Sequence, residues 1–483
     1  MTARLVIAAP GSGSGKTTLT AGLIGALRAR GLNIQPFKCG PDYIDPGYHT
    51  LAAGRVCRNL DTWLLQPEQV HALFQSAAAG ADLALIEGVM GLFDGANVLD
   101  EAGSTADVAR LLDAPVVLVI DARGMARSAA ALVEGFRRFD PRVRIVGVIL
   151  NRVGSTRHAE ICATAIGEHT GLPYLGSLER RNDLRLPERH LGLITVVEHG
   201  PWLKTLNTIA ARVAQTCDLD ALLALARTAS PLPGAEGGEP AISNSRRGKA
   251  PDSPPPAPAL RRKRPVIAVA QDAAFSFAYP EMGELLHAAG ATIAPFSPLT
   301  ASALPEGTAG IILTGGFPEL YAEQLSRNCG LQVALRAAHG AGIPIYAECG
   351  GLMYLTEELE DQAGRRWPMV GLLPGRSVMT ERVVLGYRTI RAVNDGPLLP
   401  ANVTLRGHEF HYSCWENAAR CGESMQISPA YEVQGRSGQV YVEGAQIGNL
   451  LASYVHLHWL ARPPMAHRFV QLCRGSDDGA THG

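Results

Sequence analysis

The 483-residue sequence carries almost no net charge: 44 Lys and Arg stand against 45 Asp and Glu, a formal charge of −1. A chain so balanced lacks the basic field that nucleic acid or an anionic membrane surface would require, so neither is expected as a general partner. No run of residues approaches the length of about 18 apolar positions that a transmembrane helix needs. The stretch MTARLVIAAPGSGSGKTT has no long apolar segment before its Gly-rich turn, so a signal peptide is not expected. The nine cysteines are an odd number and show neither a CxxC pair nor zinc-ligand spacing, so neither a disulfide framework nor a metal knuckle is suggested. Free thiols fit a reducing, cytoplasmic setting. Hydrophobic residues make up 46%, enough for a sizeable core, and the length allows two or three domains of about 150 residues each.

Residues 229–264, ASPLPGAEGGEPAISNSRRGKAPDSPPPAPALRRKR, are dominated by Pro, Gly, Ser and Ala and are poor in large apolar side chains. Such a segment cannot bury enough surface to offset its ordering entropy, so it is expected to be a flexible linker between domains at 1–228 and 265–476. In the first domain, RLVIAA (4–9), DLALIEG (82–88), APVVLVIDA (114–122) and RIVGVILNR (144–152) are apolar at consecutive positions. That is the pattern of parallel strands covered on both faces, and helical stretches separate them. After the linker come RPVIAVA (264–270), AGIILTGG (309–316) and IPIYAECGG (343–351). RVVLGYRTIRA (382–392) and GQVYVEGAQIGN (438–449) look antiparallel. Both domains are therefore expected to be α/β.

VIAAPGSGSGKTTLTAGLIGALRARG is a strand, a Gly-rich turn and a helix. Gly11, Gly13 and Gly15 let backbone N–H groups converge on an anion, and the helix start adds partial positive charge. Lys16 is placed to reach the β- and γ-phosphates of a nucleotide, and the Thr17 hydroxyl to ligate Mg²⁺, with Thr18 completing the motif. Pro10 stands where the P-loop pattern has Gly. Carboxylates follow at strand ends, where parallel sheets collect ligands. Glu87 is placed for Mg²⁺; Asp42, Asp45 and Asp94 can join it or orient substrate. A lone Asp in such a place would more simply be a helix cap, but four fall on Gly-rich loops of one sheet edge. Lys38 is a candidate partner for a substrate or phosphate anion. Asn151 and Arg152 could read an adenine edge or simply cap a strand.

GIPIYAECGGLMYL is a strand, a sharp Gly-containing turn and a helix start, with Cys349 at the apex. This is the form of a nucleophile elbow, which presents a side chain above a sheet beside backbone N–H donors for an oxyanion. A cysteine nucleophile needs a base, usually a His distant in sequence. LLASYVHLHWL offers His456 and His458 on one face of a strand, and the glycines of GGFPEL (315–320) can add an oxyanion donor. The other eight cysteines read as packing residues, with Cys39 the least certain of them.

GSGSGKTT, FKCGPDYIDPGYH, RNLDTWLL, IEGVMGLFDG, AFSFAYPE, GGFPEL, YAECGGLMYL, RGHEFHYS and SYVHLHW, in that order, resemble the motifs of the cobyrinate a,c-diamide synthase family. The resemblance covers both domains and leaves only the linker unmatched. It implies a P-loop domain like dethiobiotin synthetase followed by a class I glutamine amidotransferase domain. It also implies an activity: ATP with Mg²⁺ converts the a and c carboxylates of cobyrinate into acyl phosphates, and ammonia released from L-glutamine gives the amides. On this resemblance Cys349 is the glutaminase nucleophile and His456 raises its nucleophilicity. Lys16 and Thr17 hold triphosphate and Mg²⁺. Asp42, Asp45, Glu87 and Asp94 match carboxylates tied to metal or substrate.

Three departures stand out. Met282 stands where the family carries Asn. His458 occupies the place where common class I amidotransferases have Glu, so a Cys–His dyad is expected. The linker is longer than usual for the family. The alternatives are the sister activity on hydrogenobyrinate, the cobalt-free ring; a P-loop regulatory ATPase with a non-catalytic binding domain; and a ligase using free ammonia alone. PDYIDPGYH and RNLDTW are closer to the cobyrinate type, but the ring's metal, the order of amidation, the ammonia path and the oligomeric state, monomer included, stay open.

Overall fold

The computed structural model describes residues 2–97, 101–184, 186, 188–189, 192–193, 202–232, 264–416, 427–435 and 438–478. The chain divides into two units, Met1–Pro240 and Ala241–Gly483. Of the expected linker, 233–263 lies outside the described residues. Its first residues, 229–232, are described and pack onto the first unit: Ala229 and Leu232 are buried, and the Arg4 guanidinium donates to the Ser230 carbonyl at 2.5 Å.

The first unit is built on seven strands: β1 (Ala3–Ala8), β2 (Ile34–Cys39), β3 (Arg58–Leu60), β4 (Leu83–Glu87), β5 (Val116–Asp121), β6 (Ile145–Val153) and β7 (Tyr174–Glu179). They lie in the order β3-β2-β4-β1-β5-β6-β7, and every pairing is parallel. Five consecutive residues, Leu5 to Ala9, are at most 1% exposed, as expected for a strand with helices on both faces. The strand order reverses around β1, flanked by β4 and β5, so the loops after β1 and β4 open at one crevice beyond the carboxyl ends. Helix α1 (Lys16–Ala29) leaves the first of these loops, and α2 (Asp45–Ala53) follows β2.

In the second unit a six-stranded sheet runs Thr292–Phe296, Val266–Ala270, Thr308–Leu313, Ile345–Glu348, Leu450–Ser453, Ala445–Ile447. Only its edge strand, Ala445–Ile447, is antiparallel to its neighbour. A second, largely antiparallel sheet is centred on the long pair Leu373–Ala392 and Thr404–Glu416. The chain passes from one sheet to the other between Ser453 and His456: Leu450–Ser453 pairs with Ile345–Glu348, while His456 pairs with His408. That crossing brings the strand end before Cys349 next to His456. Of the two regions expected to be antiparallel, 382–392 lies in this second sheet, while 438–449 is divided: Val440–Glu443 pairs antiparallel in the second sheet and Ala445–Ile447 forms the antiparallel edge of the six-stranded one.

The packing role expected for eight cysteines needs correction. Cys39, Cys57, Cys162, Cys217 and Cys473 are buried, but Cys329 and Cys414 are exposed. Cys329 opens the helix Cys329–Gly340 directly after its capping residue Asn328, and Cys414 stands on the outward side of a strand. Cys421 lies outside the described residues.

Candidate active sites

In the first unit the Gly-rich turn after β1 is held by its own backbone and by a neighbouring strand. Gly13 and Gly15 have φ of 73° and 86°, the left-handed region that glycine tolerates. Gly15 is further confined because a Cβ there would stand 2.1 Å from the Asn151 amide nitrogen. That amide donates to the Ser14 carbonyl at 2.8 Å, and Arg152 donates to the Gly13 carbonyl at 2.6 Å while pairing with Asp121. Asn151 and Arg152 are thus turn-holding residues at the end of β6. The Lys16 ammonium donates to the carbonyls of Gly11 (3.1 Å) and Met90 (2.6 Å). Burial and the nearby Lys38 bring it down to about 8. Thr18 is half-buried on the first turn of α1.

The Thr17 hydroxyl lies 2.8 Å from Glu87 Oε1 and 3.1 Å from Asp45 Oδ2. Between the same two carboxylates sits the buried ammonium of Lys38, 2.6 Å from Asp45, 2.8 Å from Glu87 and 3.6 Å from Asp42. Lys38 therefore meets protein carboxylates rather than standing open for an external anion. Full burial would strip its charge, but Asp45, Glu87 and Asp42 hold its pKa well above the ordinary lysine value. Burial would likewise raise Glu87, yet Lys38 and His49, which hydrogen-bonds the other carboxylate oxygen, hold it below the usual carboxylate range. Asp45 is pushed up to about 8 by burial and by Asp42 beside it. Asp42 also accepts from the amides of Ile44 (2.8 Å) and Asp45 (3.0 Å), so it shapes the entry to α2. Asp94 accepts from the Gly91 amide at 2.8 Å and fixes the turn after β4.

This donor set suits Mg²⁺. Thr17, Asp45 and Glu87 present hard oxygens to a place that a cation, the Lys38 ammonium, already fills. Among the described residues no group of three His, Cys, Asp or Glu is spaced to grip a metal.

In the second unit Cys349 has φ 47° and ψ −103°, a strained conformation for a residue with a Cβ, at the turn between the strand Ile345–Glu348 and the helix Gly350–Leu355. Gly350 must be glycine: a Cβ would meet the Gly316 amide nitrogen at 3.0 Å and Pro318 at 2.9 Å. The GGFPEL turn therefore lies directly against the elbow. The same holds for Gly315, where a Cβ would stand 2.6 Å from His456 Cε1.

His456 hydrogen-bonds the Cys349 side chain, and its Nδ1 lies 3.3 Å from Glu348 Oε2. The ring is stacked on His408 at 5.0 Å between centroids. Burial alone would depress His456, but the Cys349 sulfur and the Glu348 carboxylate reverse this and raise it to about 10. The neighbouring imidazoles go the other way. Burial takes His458 down to about 3 and holds His408 well below its ordinary value. His458 stacks on Tyr279 at 4.2 Å and lies 3.7 Å from Glu281. Met282 is a buried core side chain.

Residue-by-residue reading of the sequence passed over three groups: Glu348 beside His456, His49 on Glu87, and His408 stacked on His456. Glu348 was visible as the neighbour of the elbow cysteine, and His49 as part of PDYIDPGYH, but nothing local marks either as facing the site.

Two families of domains match the chain: a CobQ/CobB/MinD/ParA nucleotide binding domain over residues 5–194 and a CobB/CobQ-like glutamine amidotransferase domain over residues 266–464. The chain is 47% identical to a hydrogenobyrinate a,c-diamide synthase of Streptomyces coelicolor, an alignment covering 98% of each chain. It is 44% identical to a cobyrinate a,c-diamide synthase of Dehalococcoides mccartyi, again over 98% of each. It is 43% identical to a hydrogenobyrinate a,c-diamide synthase of Mycobacterium tuberculosis, over 96% of this chain and 97% of the relative.

Proposed function

The chain belongs to the family of cobyrinate and hydrogenobyrinate a,c-diamide synthases, and from that premise we propose that it is an ATP- and glutamine-dependent ligase that amidates the a and c carboxylates of cobyrinate. The observation that carries this reading is the presence, in one chain, of a phosphate-binding turn ringed by Thr17, Asp45 and Glu87 and of a Cys349–His456 pair at a strained elbow.

A carboxylate is a poor electrophile, and the first unit is assigned the task of changing that. The turn from Gly11 to Gly15 and the start of α1 cradle the polyphosphate, and Lys16 trades its carbonyl partners for phosphate oxygens. Thr17, Asp45 and Glu87 would hold Mg²⁺, which when bound neutralises phosphate charge. A substrate carboxylate oxygen attacks the γ-phosphorus, the bond to the β-phosphate oxygen breaks, and ADP leaves. Positioning and charge neutralisation supply most of the rate in such transfers. Asp42 and Asp94 are proposed to line the substrate side of this crevice.

In the second unit the Cys349 sulfur attacks the glutamine side-chain amide. His456 takes the thiol proton and delivers it to the departing nitrogen as ammonia leaves. The amides of Gly350 and Gly316 are proposed as donors to the oxyanion. Water then releases glutamate from the thioester, and ammonia displaces phosphate from the acyl phosphate. The enzyme works on small soluble substrates, and no described helix is long and apolar enough to cross a membrane.

The test is turnover of purified protein on cobyrinate with ATP, Mg²⁺ and glutamine, with products identified by mass and glutamate counted. Two glutamates per diamide are expected; diamide formed without glutamate release would refute the reading. The 47% identical relative favours a second reading in which hydrogenobyrinate is the substrate. Parallel turnover of both rings decides between them by kcat/KM.

A further inference from the structure

We propose that Glu348, the residue just before the nucleophile, is the third member of the glutaminase constellation: a positioning residue that orients the His456 ring and stabilises its charged form. The inference rests on the Cys349–His456 reading above and replaces the dyad expected from the missing Glu at position 458.

Three observations carry it. First, the carboxylate is aimed. Its Oε1 accepts from the Tyr346 hydroxyl and from the Leu457 amide (3.2 Å), which leaves Oε2 3.3 Å from His456 Nδ1. Leu457 directly follows His456, so the bond also fixes the strand that carries the imidazole. Second, the elbow makes this geometry possible. Consecutive strand residues normally face opposite ways, but at Cys349 the backbone turns to φ 47°. Both neighbours then reach one imidazole, the sulfur by a hydrogen bond and the carboxylate at Nδ1. That is the order of roles in a nucleophile–His–acid triad, which is recognised by geometry and not by sequence position. Third, the surrounding imidazoles serve as controls. The titratable groups acting on His456 are Cys349, Glu348, His408 and Glu443. His408 and His458 share its burial and are held neutral, whereas His456 is raised. Position 458 cannot supply the missing acid, because its side chain turns to Glu281 and Tyr279.

Glu348→Gln is the informative variant. Its amide oxygen can still accept from Tyr346 and Leu457, so it removes charge at constant shape. Removing the anion lowers the His456 pKa, so the alkaline limb of glutaminase kcat/KM moves to lower pH. The expected result is a fall in glutaminase kcat of about 10²-fold with KM for glutamine little changed, and ammonia-dependent amidation kept. Glu348→Asp keeps the charge with a shorter reach and should retain more activity than the Gln variant. An unmoved pH limb with wild-type kcat, a change in KM alone, or a Gln variant as active as the Asp variant would overturn the inference. Wild-type protein without any glutaminase would instead bring down the reading beneath it, and this inference with it.

Discussion

Around Lys38, three carboxylates and one ammonium share a single buried place, and a threonine hydroxyl joins two of them. Around His456, one sulfur and one carboxylate suffice. The first cluster holds its cations internally: Lys38 is paired with Asp45 and Glu87, and Lys16 spends its hydrogen bonds on the carbonyls of Gly11 and Met90. A ligand there must exchange partners, which suits a site that takes up a charged nucleotide and then releases it. The second cluster is fixed by backbone strain and by strand pairing, and needs no exchange to be competent. One site waits for its charge to arrive, and the other carries its reactive charge within the fold.

The sharpest way to break that contrast is Lys16→Ala. It removes the cation that must change partners while leaving the turn's glycines in place. Amidation from either glutamine or ammonium should fall roughly 10²–10³-fold, with basal glutaminase retained. Undiminished amidation would remove the phosphate role of this lysine. Next comes Lys38→Met, which leaves Asp45 and Glu87 facing each other without a cation. Losing one partner of a buried ion cluster costs about 3–5 kcal/mol, so the melting temperature should drop. Mg²⁺ with ADP should restore more stability to this variant than to the wild type. Equal stabilisation of the two would mean that lysine and metal do not share a place.

The smallest effect concerns the support of the second site. Glu443 accepts from the Ser453 hydroxyl and the Tyr454 amide, and burial raises its pKa to about 7. A carboxyl raised in the folded state binds its proton more tightly there than when unfolded, near 4.3. Stability is therefore present at low pH and lost as pH rises from about 4 through about 7, by at most about 4 kcal/mol. Glu443→Gln should flatten this dependence in pH-resolved melts. A variant with the wild-type slope would show that Glu443 is ionised in the fold.

The α/β class, the parallel sheet of the first unit and the amidotransferase-like second unit were legible because each rests on a local pattern. Consecutive apolar residues such as Leu5 to Ala9 announce a doubly covered strand, and Gly15-Lys16-Thr17 announces a phosphate turn. Contacts made at a distance were not. Lys38 looked free to meet an anion, because its partners Asp45 and Glu87 arrive from α2 and β4. Glu348 was hidden by the alternation rule itself: only the positive φ at Cys349 lets adjacent side chains serve one imidazole. The contact of the Asn151 amide with the Ser14 carbonyl joins residues 137 positions apart, which no local pattern announces. Cys329 and Cys414 failed as packing residues because exposure depends on which strand or helix face the fold turns outward.

The division between the two centres is tested most directly by Cys349→Ser, supplied with ATP, Mg²⁺ and cobyrinate and with either glutamine or a high concentration of ammonium. The diamide should form from ammonium at close to the wild-type rate and should not form from glutamine. Diamide made from glutamine by this variant, or lost with both nitrogen sources in a folded protein, would contradict the account.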